Sequence, residues 1–446
     1  MKLSGVKKIV WVGVAVFTVN SLVVFGQSEG GSPRPLLQTI KVYNEQPAPT
    51  PAPLVTKTGS STAVGMVPVP SAVKTSFSSL REIEIPGTSG VLVESLEGNI
   101  VVEMGSATPL NPASNVKIAT TYAVLKAFGP NYRFPTTVWT DGAYDEANKK
   151  IIGNLYISGR DPVFVLEHAV AIAHELNRMG IRTIEGDLIV TDNFSMNYGS
   201  SSISSAKTII ATLDAAKRSI AASRSWSNYL IHSGKLSANT GIPSVTVTGG
   251  PYVQSLPTNA KSLFTHESAP MREIIKAMMS YSNNELSHRL GDMVGGAFGV
   301  ANMVRQNTGT TPDEFHIQTT SGLGINRVTA GAMMKLLRVL RKDLEQNKMT
   351  FADVMPVAGL DPGTLEDRFA TDFSRGSVIG KTGTLGNTDG GVSALAGEIS
   401  TRNGKFLFVI FNQRGSVNRF RTFQYFYVSS IEGALGGAAL ISYSGA

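Results

Sequence analysis

Ser114-Asn115-Val116-Lys117, then Ser282-Asn283-Asn284, then Lys381-Thr382-Gly383 stand in this order along a chain of 446 residues. Together they supply a hydroxyl nucleophile with an amine three positions on, a hydroxyl and carboxamide pair, and a cation beside hydroxyls on a glycine-flexed strand. That is the equipment of a serine active site that needs neither histidine nor metal. Each element alone is common. Ser4, Ser71 and Ser204 also begin S-x-x-K, Ser195, Ser237 and Ser416 also begin S-x-N, and Lys57-Thr58-Gly59 repeats the last element. Local context has to separate the copies.

Ser114 has the most specific surroundings. Asn111 can cap a helix, Pro112 fits its first turn, and Gly129-Pro130 stops it. Residues 118–128 are mostly apolar, with the good helix formers Ala119, Ala123, Leu125 and Ala127, which predicts a largely buried helix. Ser114 and Lys117 share one face at its start, where the partial positive charge of the helix end favours an alkoxide. Lys117 must be neutral to act as a base, and burial together with a second cation would lower its pKa from ~10.4. The bland reading, a surface Ser and Lys at a helix start, suits Ser204 better, because no apolar helix follows it so clearly.

Tyr281-Ser282-Asn283-Asn284-Glu285 lies between two helical stretches, 271–279 and 285–293. Such a turn either aims a hydroxyl and a carboxamide into a cleft or simply caps the next helix through Asn283 or Asn284. Lys381-Thr382-Gly383-Thr384 joins a strand signal to the turn-rich Gly386-Asn387-Thr388-Asp389-Gly390-Gly391. Gly383 lets another backbone approach the strand, and Lys381 offers a point charge for a carboxylate. A second strand follows at once, which disfavours an ordinary exposed hairpin end.

The rest of the chain frames these elements. Lys2, Lys7 and Lys8 precede an apolar run over 9–25, which reads as a cleaved export signal or an uncleaved anchor. Residues 28–75 are rich in Pro, Gly, Ser and Thr, and Gln46-Pro47-Ala48-Pro49-Thr50-Pro51-Ala52-Pro53 reads as extended polyproline II. The copies at Lys57 and Ser71 fall in this stretch and are dismissed. Strand signals at 90–94 and 99–103 open the folded part. Between the first and second elements lie strands at 136–140, 151–158, 184–191 and 245–248, a helix at 168–178, and helical spacing over 208–222. After the second come a helix over 327–343 with Thr329 as cap, strands at 377–381, 391–399 and 405–412, and a closing helix at 420–435.

Composition narrows the classes. The net charge is +7 and the isoelectric point about 9.4, yet no dense Lys/Arg block occurs, so nucleic-acid binding is disfavoured and an anionic wall or lipid surface suits better. There are no cysteines, which removes disulfides and thiolate chemistry. His174-Glu175 lacks the second histidine of a zinc protease, the six histidines are scattered, and no G-x-S-x-G or P-loop appears. No metal or cofactor is expected.

The chain resembles the serine D-alanyl-D-alanine carboxypeptidase/endopeptidase family, the low-molecular-mass penicillin-binding proteins with a large insertion after the S-x-x-K motif. Besides the three elements, the resemblance rests on Pro112-Ala113-Ser114, Gly129-Pro130-Asn131-Tyr132-Arg133-Phe134, Ser321-Gly322-Leu323, Pro356-Val357-Ala358-Gly359-Leu360 and Gly380-Lys381-Thr382-Gly383-Thr384-Leu385. It covers roughly 80–435. It implies an α/β (α+β) fold of the serine β-lactamase/DD-peptidase type, an antiparallel sheet flanked by helices, with an inserted mainly-β domain. On this reading 1–27 is a signal peptide or N-terminal anchor, 28–75 a linker, 76–138 and 268–446 the catalytic domain, and 139–267 the inserted domain. Two features depart from the family. Its Gly-Asp-Pro-Thr-Leu block appears as Arg160-Asp161-Pro162-Val163-Phe164, and the insertion is shorter than in larger members. Both bear on peptide-side specificity.

The resemblance also implies roles. Ser114 attacks the penultimate D-Ala carbonyl and Lys117 takes its proton. Ser282 relays a proton to the leaving amine, helped by Lys381, and Asn284 bonds the substrate amide. Lys381, Thr382 and Thr384 hold the terminal carboxylate on the strand flexed by Gly383, and the N–H groups of Ser114 and Thr384 form the oxyanion hole. The implied partners are peptidoglycan peptides, with β-lactam antibiotics as inhibitors and peripheral membrane or wall association through an exported chain. Two alternatives remain: a serine β-lactamase, which needs a deacylating carboxylate for which Glu314 is the available candidate, and a non-catalytic wall-binding or penicillin-sensing homologue.

Overall fold

The computed structural model describes residues 41–43, 72–235, 241–370 and 374–441. The export segment at 1–27, and with it the copies at Ser4, Lys57, Ser71 and Ser237, lies outside the described residues.

An antiparallel sheet runs in the order Val378–Leu385, Val392–Thr401, Gly404–Gln413, Thr88–Ser95, Ile100–Met104, Lys74–Thr75. The strand that carries Lys381 is therefore an edge strand of this sheet, and at Val378 and Gly380 its outer side is bridged by the segment 356–358. Val392–Thr401 is buried along its whole length because the sheet is covered on both faces. Ala394 and Ala396 face one core, with Ile118 and Tyr122, whereas Leu395 and Ile399 face another, with Tyr427, Val428 and Ile431 of the closing helix Val417–Ala434.

The helix Val116–Phe128 runs through the first of these cores. Every residue from Val116 to Val124 is buried, as its composition implies, and only the last turn, at Lys126 and Ala127, reaches solvent. It ends at Gly129, whose φ of +79° suits glycine. Around it stand Met271–Tyr281, Asn284–Asp292, Gly296–Thr308 and Ala330–Gln346. The last starts at Ala330 rather than 327, because Arg327–Val328 pairs with Phe315–His316 as a short strand; the Thr329 hydroxyl caps it by accepting the Ala332 N–H. Gly296–Thr308 is a helix that the sequence reading lacks. Its start at Gly295 and Gly296, both with positive φ, hides it from propensity.

The region between the first two elements is mixed rather than mainly β. Its larger sheet runs Lys41–Tyr43, Lys261–Glu267, Pro135–Thr140, Leu155–Gly159, Leu188–Val190, Pro251–Val253, and a second runs Thr246–Val247, Thr183–Glu185, Lys150–Ile152, Ala143–Asp145. Helices Leu166–Arg178, Ser202–Leu213 and Ile220–His232 accompany them. Leu155–Gly159 and Leu188–Val190 are parallel neighbours, a pairing that requires a crossover; Leu166–Arg178 supplies it. The runs at 151–158 and 184–191 each split into two strands in different sheets, and the helical spacing at 208–222 splits into two helices around Asp214. Lys41–Tyr43, inside the stretch read as linker, pairs with Lys261–Glu267.

Candidate active site

Ser114 does not lie in the buried helix itself. Ala113–Asn115 forms one 3-10 turn just ahead of Val116. Asn111 is not the helix cap; its Oδ1 accepts the Ala113 N–H at 3.1 Å. Ala113 has φ +46°, uncommon for a residue with a side chain. The surroundings force it. A Cβ on Gly322 would sit 1.9 Å from the Ala113 carbonyl oxygen. One on Gly383 would sit 2.8 Å from the Pro112 oxygen and 3.0 Å from Ser114 N. The backbone that approaches Gly383 is thus the protein's own nucleophile turn. The turn is also tethered from the side: Asn111 Nδ2 donates to Asp389 at 2.8 Å, and Arg327 grips both oxygens of Asp389 at 2.8 and 3.0 Å.

Lys117 is completely buried. Its Nζ lies 3.2 Å from Ser114 Oγ, 2.7 Å from Asn284 Oδ1 and 2.7 Å from the Ser321 carbonyl. Burial alone lowers its pKa to about 7. A neutral amine has two N–H donors and one lone pair. With the donors on Asn284 and Ser321, the lone pair is left for the Ser114 hydroxyl. The Ser321 carbonyl is held in turn, since the adjacent Thr320 carbonyl accepts from Thr120 Oγ1 and Ser287 Oγ, both at 2.7 Å.

Ser282 closes the helix Met271–Tyr281 in left-handed conformation, φ +54°. Asn283 caps the next helix by accepting the Leu286 N–H at 3.0 Å. Capping and site-building therefore coexist in one turn: Asn283 caps, while Asn284 reaches Lys117. Among the described residues no hydrogen bond joins Ser282 to Ser114, Lys117 or Lys381. Asn284 spends its carbonyl on Lys117.

Lys381 is also completely buried, and its Nζ donates to the Thr382 carbonyl at 2.8 Å. Burial first, then the neighbouring charges of Lys117 and Arg368, push its pKa well below the lysine range. Thr382 is buried, whereas Thr384 is half-buried and accepts from Arg421 Nη2 at 3.0 Å. None of Lys117, Lys381, Arg368 and Arg421 forms an ion pair with a carboxylate among the described residues. The three donors beyond the base, Lys381, Arg368 and Arg421, leave a place where an added carboxylate would supply the missing counter-charge. The remaining copies resolve as structure: Ser195 accepts from Arg289, Ser204 stands on the helix Ser202–Leu213, and Ser416 caps the closing helix. Glu314 pairs with Lys335 at 3.5 Å.

The family model for the D-Ala-D-Ala carboxypeptidase 3 (S13) family matches residues 79–206 and 215–423. The chain belongs to that family. It is a serine-type D-Ala-D-Ala carboxypeptidase. A D-alanyl-D-alanine carboxypeptidase of Actinomadura sp. (strain R39) is 25% identical, over 72% of this chain and 77% of its own. Two solved structures share the fold. A penicillin G-acylated predatory endopeptidase of Bdellovibrio bacteriovorus has a TM-score of 0.67 at 22% identity, covering 80% of this chain and 96% of that one. Penicillin-binding protein 4 of Haemophilus influenzae has 0.58 at 18%, covering 80% and 98%.

Five residues around this site have no role in the sequence reading. Arg421 and Arg368 stand on segments without motif, and the Asp389–Arg327 pair joins a turn to a short strand 62 positions away. The Ser321 carbonyl has no side-chain signature, although Gly322 beside it marks a close approach.

Proposed function

We propose that this enzyme is exported and cleaves the terminal D-Ala-D-Ala bond of peptidoglycan stem peptides through an acyl-enzyme on Ser114. The observation that carries the reading is the buried Lys117 amine, 3.2 Å from Ser114 Oγ and brought to a pKa of about 7. Ser114 Oγ attacks the penultimate D-Ala carbonyl carbon as its proton passes to Lys117 Nζ. The carbonyl oxygen becomes an oxyanion facing the N–H groups of Ser114 and Thr384. The C–N bond then breaks, and the proton reaches the leaving D-Ala amine through Ser282. Water attacks the ester, gives up a proton to Lys117, and Ser114 leaves with one. Lys381, Thr382, Thr384 and Arg421 receive the terminal carboxylate, and Asn284 donates to the substrate amide.

The same cleft accepts β-lactams, whose ring carbonyl and carboxylate mimic the dipeptide. No carboxylate hydrogen-bonds to Ser114 or Lys117 among the described residues, which favours a slowly hydrolysed adduct over β-lactamase turnover. The basic balance of the chain and the lysine-flanked apolar run at 9–25 support an extracytoplasmic place at the wall or membrane surface. Residues 139–267 act as an inserted domain beside the cleft. The test is peptide mapping after reaction with labelled penicillin, alongside release of D-Ala from a D-Ala-D-Ala peptide. The adduct is expected on Ser114. An adduct on Ser204, or none on folded protein, refutes the assignment.

A further inference from the structure

We propose that Asp161, His168 and His266 form a structural site for one divalent transition-metal cation, with Zn2+ the best fit to two imidazoles and a carboxylate. The three come from distant stretches: Asp161 follows the strand Leu155–Gly159, His168 is in the helix Leu166–Arg178, and His266 is on the strand Lys261–Glu267. Each is at most 2% exposed, and one ligating atom from each lies within 4.8 Å of the others.

A second observation points to a ligand. Both ring nitrogens of His266 and Oδ2 of Asp161 are buried with no hydrogen-bond partner. Buried polar atoms are rarely left bare. Asp161 Oδ1 is already used, accepting the Val163 N–H at 2.9 Å, so Oδ2 is the free donor. A neutral imidazole has one lone pair. His266 can offer it from either nitrogen. His168 now spends it on the Val165 N–H at 3.2 Å, and coordination exchanges that contact for the ion. On a tetrahedral Zn2+ with bonds of about 2.0–2.1 Å, ligand atoms are about 3.4 Å apart, so side-chain shifts of about 1 Å close the set. Three protein donors leave a fourth position for water.

Phe164 packs edge-on against His266 and against Phe194, walling the cluster with apolar rings. No substrate reaches such a place, so the ion fastens rather than reacts. It would pin the segment Arg160-Asp161-Pro162-Val163-Phe164 to two elements. Arg160 lines a cavity of about 680 Å³ with Phe128, Tyr132 and Asp292. The site is independent of the peptidase reading.

The test uses tag-free full-length protein, stripped with a chelator and titrated with Zn2+ and, separately, Co2+. One ion per chain is expected, with a rise in unfolding temperature on Zn2+ addition and visible absorption from the Co2+ form. Both signals should be lost in Asp161→Asn and His266→Ala. If His266→Ala fails to fold, His168→Gln replaces it, since it keeps a polar side chain of similar reach. Absence of saturable binding by the wild type overturns the proposal and leaves the space to a buried water. Binding that persists unchanged in the variants overturns it equally, because the ion then sits elsewhere.

Discussion

The rate at which penicillin acylates Ser114 should titrate with Lys117. Burial takes that amine from 10.5 to about 7. At ~1.36 kcal/mol per pH unit, this costs the charged form about 5 kcal/mol. At pH 7 about half the molecules then carry the free base, against about one in three thousand for an ordinary lysine. The cost is recovered in rate: the base population rises about a thousandfold at neutral pH. The maximal acylation rate, taken at saturating fluorescent penicillin by stopped flow, should plateau above about pH 8 and fall tenfold per unit below about 6, with a midpoint near 7. Using the saturated rate separates the chemical step from carboxylate binding, the part proposed for Lys381 and Arg421. Lys117→Ala should lower the rate at least ~10²-fold at every pH, since no histidine contacts Ser114 among the described residues. A rate that is flat from pH 5 to 8, or a midpoint above 9, would show that the proton goes elsewhere. The sign for stability follows from the same depression. Between about pH 7 and 10.5 the unfolded chain binds this proton and the folded one does not, so stability rises with pH through that window.

Three other outcomes are expected. Lys381→Ala should weaken cleavage of a D-Ala-D-Ala acid by about 1.5–3 kcal/mol in transition-state binding, and a substrate ending in carboxamide should lose that increment in wild type and almost nothing further in the variant; equal cleavage of acid and amide by wild type removes carboxylate reading from Lys381. Gly383→Ala places a methyl 2.8 Å from the Pro112 oxygen and 3.0 Å from Ser114 N, so it should cost about 1–3 kcal/mol in denaturant stability and slow acylation, whereas wild-type acylation would show that the nucleophile turn yields freely. Asp361→Ala leaves Lys276 buried without the carboxylate 2.6 Å away and should cost about 3–5 kcal/mol; a change below 1 kcal/mol in urea unfolding would count against a charged pair there.

The sequence reads best where a local pattern meets a buried surface. The strands at 377–381, 391–399 and 405–412 and the apolar helix after Ser114 are legible because each buries a continuous run of side chains. The region 139–267 is less legible. Its strands are two to seven residues long and change sheets at Gly153 and Gly186, so a single apolar run such as 151–158 conceals two elements. The helix Gly296–Thr308 is hidden by its own glycines. In the site, Ser114 and Lys117 stand together as their spacing implies and Asn284 joins them from its inter-helix turn, but Asn111 serves the turn rather than the helix, Arg421 carries no local signal, and the Ser321 carbonyl is marked only by Gly322 beside it.

What separates the true S-x-x-K from its copies is the means of burying a lysine. Ser204 stands on a helix whose Lys207 is exposed, so nothing there takes the amine out of water or holds it against the serine. Lys117 is walled by its own helix, by the Asn284 turn and by the Ser321 segment, which come from positions 167 and 204 residues away. The two acceptors that hold its N–H groups also set the direction of its lone pair. Burial without them would only cost stability, because an amine with unpaired N–H groups would turn toward any oxygen available. Gly322 and Gly383 then fix the serine itself by letting two backbones close on the turn at Ala113. The second and third elements are therefore not separate accessories to the first. On the proposed mechanism Asn284 aims the base and Gly383 seats the nucleophile, so Ser114-Asn115-Val116-Lys117 would become reactive only when the other two have folded against it.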